Sequence, residues 1–472
     1  MRPLLLLLTL LVTPSLASQK PNVLILLSDD QGYGDISCYG GSPDVRTPNM
    51  DRMASDGVRF TNGYVTAPIC NASRTSIHTG RYQQRYGVQW FTSGSLPGKE
   101  VPTLAETLKS AGYATHKIGK THFPSRVENN TSSRQFPLNH GFDTFYGVMG
   151  NHDLKRFTHT DRERFGGRLW QNVGPMWDGD KEVDVKGYSS DLLADRAIQI
   201  IKDNPADQPF YIHLSFLAVH TPTWQAPQPY LDRYGLQELD DTAAFSEFKK
   251  NTIYDGAKLR NPKEWRLRYL AALDCLDFNV GRILDALEAQ GQLDNTIIFY
   301  LSDNGGTRIT ASNNAPLRGS KYYLNEGGIR VPFLLRYPKA FPKNKTSPAL
   351  VSSMDIYPTV LELAGIDCQQ LKLDGVSLVG KIKDDVGDTA NDALVWQTRN
   401  GWAVRRGNYK LRSIDKTHKV NPWPITETKG VFLYDLKSDI AENVDLSASM
   451  PEKVKELTQI YQKWQADISN EN

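Results

Sequence analysis

Four nearly continuous apolar runs alternate along the chain with segments of helical periodicity. The apolar runs cover residues 22–30, 113–120, 209–220 and 296–306. The segments 48–56, 103–111, 189–202 and 264–290 instead repeat their apolar positions with the period of a helix. Strands that are apolar on both faces are typical of a parallel sheet covered by helices. The alternation therefore indicates an α/β fold with a largely parallel sheet.

The pattern changes after about Leu378. Residues 393–414 and 430–436 show short strand patterns separated by turn signals, and a helical pattern follows at 451–468. We therefore expect two units, a large domain over residues 19–378 and a C-terminal subdomain over 379–472. The smaller unit is predicted to contain an antiparallel sheet and one helix.

The first 18 residues have the organisation of a secretory signal peptide. Arg2 precedes an apolar run from Leu4 to Val12, and Pro14 and the small-residue stretch "SLAS" follow. The run is too short to span a bilayer. We therefore expect an exported protein, periplasmic or secreted, with no membrane partner.

Composition further limits the kind of protein and the partners that the chain can have. Hydrophobic residues make up 39% of the 472 residues and charged residues 23%, as in folded globular proteins. The net charge is only +2, and without a long basic run nucleic acid is not an expected partner. Of the four cysteines, Cys275 lies in a helical segment and is interpreted as buried filler. At most one disulfide is therefore expected.

Acidic and amide side chains follow two of the apolar runs directly. Asp29 and Asp30 end the first run, and Asp303 and Asn304 end the fourth. Ligands of open α/β sheets bind outside the carboxyl ends of the strands. A single pair of this kind is more often a simple turn, but two pairs at one edge offer four oxygen donors. Such donors suit calcium or magnesium.

Basic side chains follow other predicted strands. Lys120 and His122 end the second run, His220 ends the third, and Lys321 lies in a glycine-rich loop. Each alone would be interpreted as a solvated lysine or a structural histidine. Together with a metal ion they would form an anion site, which suits a sulfate or phosphate ester.

Several motifs then point to one family. The stretch "CNASR" at residues 70–74, followed by "HTGRY", resembles the signature of the type I sulfatases of the alkaline-phosphatase-like superfamily. "LLSDDQGYGD", "GKTHF", "LSDNGG" and "LRGSKYYLNEGGIRVP" also resemble sulfatase motifs and occur in the family order. The resemblance covers roughly residues 21–359 and is to secreted bacterial polysaccharide sulfatases. It implies a large mixed, mostly parallel sheet flanked by helices, with a smaller C-terminal subdomain.

The resemblance also implies the cofactors. In this family the signature cysteine, here Cys70, is oxidised to formylglycine by a formylglycine-generating enzyme, and the hydrated aldehyde is the nucleophile. Arg74, one helical turn after Cys70, would stabilise the hydrated aldehyde. The implied calcium ligands are Asp29, Asp30, Asp303, Asn304 and the modified Cys70.

The remaining catalytic roles are carried over in the same way. Lys120 and Lys321 would bind the sulfate oxygens, and His122 would assist the nucleophile. His220 would protonate the leaving alkoxide, alone or with Lys321.

The chain departs from most relatives at Ala72, where they have proline. At His78 many have leucine, and we interpret this histidine as structural.

The substrate is predicted from the segment at residues 150–170, which is rich in aromatic and cationic side chains. Such side chains stack on sugars and pair with sulfates, so a sulfated carbohydrate is expected. A marine algal galactan such as carrageenan is the first choice and a glycosaminoglycan the second. The candidate substrate contacts are His140, His152, Lys155, Arg156 and Arg162.

Two other functions stay open at this stage. A phosphate or phosphonate ester hydrolase of the same superfamily would share the ligands at the strand ends, although such enzymes usually hold two metals. A catalytically silent glycan-binding protein on the same scaffold is the other alternative.

Overall fold

The computed structural model describes residues 20–90, 96–123, 130–150, 173–240, 243–244, 261–383, 393–416 and 428–469. The predicted signal peptide lies outside these ranges. No helix within them is long and apolar enough to cross a membrane. All four cysteines lie in the described ranges, and each is a free thiol.

The described strands form one sheet of ten and one of four. The strands of the large sheet are β1 (Asn22–Ser28), β2 (Val58–Tyr64), β3 (Ala114–Lys120), β4 (Thr144–Val148), β5 (Val173–Asp178), β6 (Lys181–Lys186), β7 (Phe210–Ser215), β8 (Thr296–Ser302), β9 (Phe333–Arg336) and β10 (Lys345–Ser352). The strands of the small sheet are β11 (Ala393–Thr398), β12 (Gly401–Arg406), β13 (Tyr409–Ile414) and β14 (Gly430–Asp435).

Among the described residues, the α-helices lie between these strands and at the end of the chain. They are α1 (Pro48–Ser55), α2 (Cys70–Thr79), α3 (Leu104–Ser110), α4 (Ser189–Asp203), α5 (Gln228–Leu231), α6 (Pro262–Ala289), α7 (Glu326–Ile329), α8 (Ile356–Leu363), α9 (Leu378–Lys383) and α10 (Pro451–Ser469).

The large sheet is mixed, with a parallel centre. Its strand order is β10-β2-β9-β8-β1-β7-β3-β4-β5-β6. Strands β8, β1, β7, β3 and β4 are parallel to their neighbours within this central group. Strand β9 is antiparallel to both of its neighbours, and β5 and β6 form an antiparallel edge. The predicted fold class is thus confirmed.

Helices cover both faces of this sheet, which explains the continuous apolar runs. In β1 the side chains of Leu24 and Leu26 pack on one face with residues of α4 and α6. Val23, Ile25 and Leu27 point to the other face and pack with residues of α3 and α8. Because successive side chains of a strand alternate in direction, burial on both faces favours apolar residues along most of its length.

The small sheet is antiparallel throughout, and α10 packs on it. Leu457 and Tyr461 of α10 join a core with Val404 and Leu411. Helix α9, which spans the boundary predicted after residue 378, packs into the core of the large sheet. The strands of the small sheet begin at Ala393.

Candidate active site

The carboxyl ends of β1 and β8 lie side by side, and their acidic residues meet there. Ser28 and Ser302 are register partners at the ends of these strands, so the residues after them leave the sheet together. The Asp30 backbone N–H donates to Asp303 Oδ1 at 3.3 Å, and Asn304 Nδ2 donates to Asp30 Oδ1 at 2.7 Å. The pairing predicted between the two strand ends is therefore present.

Cys70 reaches the same point from the first residue of α2. Its Sγ lies 3.5 Å from Asp29 Oδ1 and 3.9 Å from Asp30 Oδ1. Burial, and then the charge of Asp303, raise the pKa of the Cys70 thiol well above its usual value. Burial thus disfavours the thiolate form of the unmodified cysteine.

The donor set fits a hard cation. One potential ligand atom from each of Asp29, Asp30, Cys70 and Asp303 lies within 4.8 Å of the others. The buried Oδ1 of Asn304 has no hydrogen-bond partner among the described residues. Buried polar atoms are seldom left without partners, and calcium takes carboxylate and amide oxygens as ligands. The residues that the resemblance assigned to calcium thus form a group that could hold a metal ion.

Each of the three buried carboxylates is paired with a cation. Lys120 Nζ contacts Asp29, and Lys321 Nζ lies 2.6 Å from Asp30 Oδ1. Arg74 contacts Asp303 Oδ2 through Nε at 2.9 Å and Nη2 at 2.8 Å. Such pairing allows charged groups to be buried together at a tolerable cost.

The pKa values of Asp29 and Asp303 depend on the opposing effects of burial and of the neighbouring charges. Burial alone would raise the pKa of Asp29, but the charges of Lys120, His220, Arg74 and Lys321 outweigh it and hold that pKa well below its usual value. For Asp303, burial and the neighbouring Asp29 charge raise the pKa.

Two of these cations also adjoin other groups of the site. Lys321 Nζ lies 3.1 Å from Cys70 Sγ, so the ammonium contacts both the signature cysteine and Asp30. Arg74 Nη1 donates to the backbone carbonyl of Lys120 at 3.1 Å, which joins α2 to the end of β3. The site is thus assembled from β1, α2, β3, β8 and the loop that carries Lys321.

The two predicted catalytic histidines differ in exposure. His220 Nε2 lies 3.7 Å from Asp30 Oδ2, and its side chain is 17% exposed. Its Nδ1 lies 2.9 Å from the carbonyl oxygen of Thr221. Burial lowers the pKa of His220 although Asp30 and Asp29 favour the charged form.

His122 is buried next to the same charges. Its backbone has a φ of 57°, and its backbone N–H donates to the Met149 carbonyl at 3.0 Å. Burial first, and then the charges of Lys120 and Arg74, lower the pKa of the His122 ring well below its usual value. Within the part of the chain that the structure describes, its buried Nδ1 has no hydrogen-bond partner. The structure therefore places this histidine beside the predicted sulfate-binding lysine.

His140 has a different position from the one predicted. Its side chain has no exposed surface, and its ring packs edge-on against His78, Phe123 and Phe142. Its Nδ1 donates to the Arg134 carbonyl at 2.8 Å. The prediction of a direct substrate contact is wrong here, because the ring is enclosed by other rings.

The other candidate contacts, His152, Lys155, Arg156 and Arg162, lie outside the described residues. His78 is buried and stacks on His213 with ring centres 4.6 Å apart, which confirms its structural interpretation.

The sequence did not single out Lys117, which is buried beneath the site. Its Nζ donates to Ser215 Oγ at 2.8 Å and to the Lys120 carbonyl at 2.9 Å. Lys117 and Arg74 thus hold the same carbonyl oxygen. The only sequence signal for this role is a second lysine three positions before Lys120, inside the predicted strand.

Residues 21–366 match the family model described as Sulfatase. The chain belongs to the sulfatase family. Residues 320–467 also match the model described as N-sulphoglucosamine sulphohydrolase, C-terminal. In this sulfatase, the region that matches the second model overlaps the first region and covers the small sheet and most of α10.

Named relatives agree with this assignment. The sulfatase is 29% identical to Arylsulfatase J of Mus musculus, over 93% of this chain and 75% of the relative. It is also 29% identical to N-acetylgalactosamine-6-sulfatase of Homo sapiens, over 95% of this chain and 86% of the relative. The chain is therefore a sulfuric ester hydrolase.

A solved structure with a bound sugar is similar over almost the whole chain. The crystal structure of Ps i-CgsB in complex with k-i-k-neocarrahexaose superimposes with a TM-score of 0.77 at 27% identity. The similarity covers 94% of this chain and 93% of that one.

Proposed function

We propose that this sulfatase hydrolyses a sulfate ester of a sulfated galactan of the carrageenan type. The observation that carries the reaction is the buried cluster in which Cys70 contacts Asp29, Asp30 and Lys321. The galactan is supported by similarity to the structure that contains k-i-k-neocarrahexaose.

Cys70 is proposed to be converted to formylglycine, and Asp29, Asp30, Asp303 and Asn304 to hold a calcium ion. When both groups are in place, they supply an oxygen nucleophile and Lewis acidity at the sulfate. The first residue of α2 suits this position, because backbone N–H groups at a helix N-terminus favour an anion.

The lysines are proposed to bind the sulfate oxygens. Lys120 and Lys321 are held by Asp29 and Asp30, so their ammonium groups are fixed before the substrate arrives. Fixed cations of this kind stabilise charge as it develops in the transition state. Lys321, in contact with Cys70 Sγ, is also close to the position of the nucleophile.

The histidines are proposed to transfer protons. With His220 Nδ1–H donating to the Thr221 carbonyl, Nε2 carries a proton for the departing sugar alkoxide only when the ring is the doubly protonated cation, the form that the charges of Asp30 and Asp29 favour. Its partial exposure agrees with access to a leaving group. Loss of such an acid is expected to lower kcat about 10²- to 10⁴-fold on a sugar sulfate. His122 is proposed to accept a proton from the nucleophile.

The similarity to N-acetylgalactosamine-6-sulfatase supports a glycosaminoglycan as the second candidate substrate. We also propose that the protein is exported after removal of residues 1–18, which the mass of the mature N-terminal peptide in the natural host would test.

The chemistry is tested with protein from its natural host, 4-nitrophenyl sulfate and a peptide mass. Formylglycine makes the Cys70 peptide about 18 Da lighter than cysteine, and an aldehyde-reactive tag detects it even when hydrated. We expect a tagged aldehyde and sulfate release, both lost in C70A. The matched control C275A changes a buried cysteine in α6 and should keep both.

Two outcomes would overturn this chemistry. Faster hydrolysis of 4-nitrophenyl phosphate would indicate a phosphate ester hydrolase. Glycan binding without sulfate release, by protein that carries the aldehyde, would indicate a silent binding protein. Sulfate release from carrageenan and chondroitin sulfate oligosaccharides, compared by ion chromatography, then decides between the two candidate substrates. Release from chondroitin sulfate alone would reject the galactan.

A further inference from the structure

The hairpin of β11 and β12 is fixed against the segment that leads to Cys70. Trp396 Nε1 donates to the Val65 carbonyl at 2.7 Å. Gln84 Nε2 donates to the Gln397 carbonyl at 3.0 Å. These bonds anchor β11 on either side of α2 in the sequence, and the turn that follows β11 carries Arg399.

Arg399 lies over the ring of Trp90. Its guanidinium carbon is 4.2 Å from the centre of that ring. At this distance the flat guanidinium group is attracted by the face of the indole. Trp90 itself is buried, so it provides a fixed surface for the arginine.

Trp90 connects Arg399 to the active site in two directions. The Trp90 carbonyl accepts a hydrogen bond from Asn71 Nδ2 at 3.3 Å, and Asn71 directly follows Cys70. The Trp90 ring centre lies 6.0 Å from that of Tyr322, which follows Lys321. The small sheet therefore places a cation on Trp90, which contacts the residues that directly follow Cys70 and Lys321.

The charge of Arg399 is exposed, and no carboxylate of the described residues forms an ion pair with it. Arg74, in contrast, is buried against Asp303. A guanidinium group that stacks on an indole keeps its N–H edges available. Such edges bind sulfate or carboxylate groups through two parallel hydrogen bonds.

We propose that Arg399, stacked on Trp90, forms a subsite for a second anionic group of the glycan. The ligand is a sulfate or carboxylate on a sugar next to the one that loses its sulfate. This subsite rests on the proposed function, since it selects multiply charged carbohydrates over simple sulfate esters.

The subsite is tested first by binding, without turnover. In the C70A background, calorimetry compares C70A with C70A/R399A for a carrageenan oligosaccharide that carries sulfates on adjacent sugars, and for a chondroitin sulfate oligosaccharide. We expect R399A to weaken binding of one of these ligands about 10- to 100-fold, the effect of losing a charged bidentate contact. R399K should fall in between, because lysine keeps the charge but not the planar fork.

R282A is the matched control, since Arg282 is a surface arginine on α6 that pairs with Asp195. It removes the same charge and should leave oligosaccharide binding unchanged. Equal binding by C70A and C70A/R399A, or no binding of either oligosaccharide by C70A, would overturn the subsite.

Kinetics separate this inference from the proposed function. In the active enzyme, R399A should raise KM for the oligosaccharide and leave kcat/KM for 4-nitrophenyl sulfate unchanged. An equal loss on both substrates would assign Arg399 a structural role and reject the subsite. Absence of hydrolysis by the wild-type enzyme would instead reject the proposed function, and the binding comparison would still decide the subsite.

Discussion

At the scale of single residues, the site depends on groups that do not themselves touch the reacting atoms. Lys117 is the clearest case, because its buried Nζ holds the carbonyl of Lys120 together with Arg74. Burial first, and then the charge of Arg74, lower the pKa of Lys117 well below its usual value. Lys117 thus holds the end of β3 in place, while the side chain of Lys120 contacts the carboxylate of Asp29.

Replacing Lys117 with methionine should keep the side-chain volume but remove its hydrogen bonds to Lys120 and Ser215. We expect kcat for 4-nitrophenyl sulfate to fall about 10- to 100-fold, because small displacements of a positioned group are costly in an active site. KM should change less. K109M, on the surface of α3, is the control. A wild-type kcat in a folded K117M protein would show that Arg74 alone positions the carbonyl.

The sequence allowed the groups at the strand ends to be predicted, but not Lys117. Asp29 and Asp303 each follow an apolar run directly, so a local pattern and the geometry of a parallel sheet bring them together. Lys117 is defined by its contact with Ser215 on β7, about 100 positions away. His140 was misassigned for the same reason, since its enclosing rings come from separate segments.

At the scale of elements, helix starts were predictable because their signals are local. Helix α3 begins at Leu104 after the N-cap residue Thr103. The Thr103 side chain accepts from the Glu106 backbone N–H at 3.2 Å, and the Glu106 carboxylate accepts from the Thr103 backbone N–H at 2.8 Å. The Thr103 hydroxyl also donates to the His140 carbonyl at 2.8 Å.

The antiparallel strand β9 was not predicted, because its place between β2 and β8 follows from pairings distant in sequence.

Replacing Thr103 with alanine should therefore lower the free energy of unfolding by about 1–2 kcal/mol, since a cap and a buried hydrogen bond are lost together. Denaturant unfolding measures this change. S110A removes an exposed hydroxyl at the other end of α3 and should stay within about 0.5 kcal/mol of wild type. Equal effects of the two substitutions would show that the cap does not stabilise this helix.

At the scale of the whole molecule, a buried ionic network joins the two sheets. Lys410 of β13 contacts Glu326 of α7 at 2.9 Å and Glu442 at 3.1 Å, and all three side chains are fully buried. Arg330 contacts the other oxygen of Glu326 at 3.1 Å. Because α7 follows the loop of Lys321, the network also fixes the C-terminal unit that supports Arg399 relative to the active site.

This network should make the free energy of unfolding depend measurably on pH in the acid range. Burial alone would raise the pKa of Glu326, but Lys410, Arg330 and Arg405 outweigh it and lower that pKa from 4.5 to about 2. A carboxyl group whose pKa is lower in the folded state stabilises the fold above its unfolded pKa of 4.5. That stabilisation is lost as the pH falls towards 2.

Replacing Glu326 with glutamine should therefore lower the free energy of unfolding by about 3 kcal/mol at pH 6. The difference from wild type should narrow steadily below pH 4.5, because the wild-type carboxyl becomes neutral as well. Urea unfolding of both proteins at several pH values between 6 and 3 measures the gap. D285N, which weakens the exposed pair with Arg52, should change stability by less than about 1 kcal/mol throughout. A gap for E326Q that stays constant with pH would mean that lost packing, and not the buried charge, is responsible.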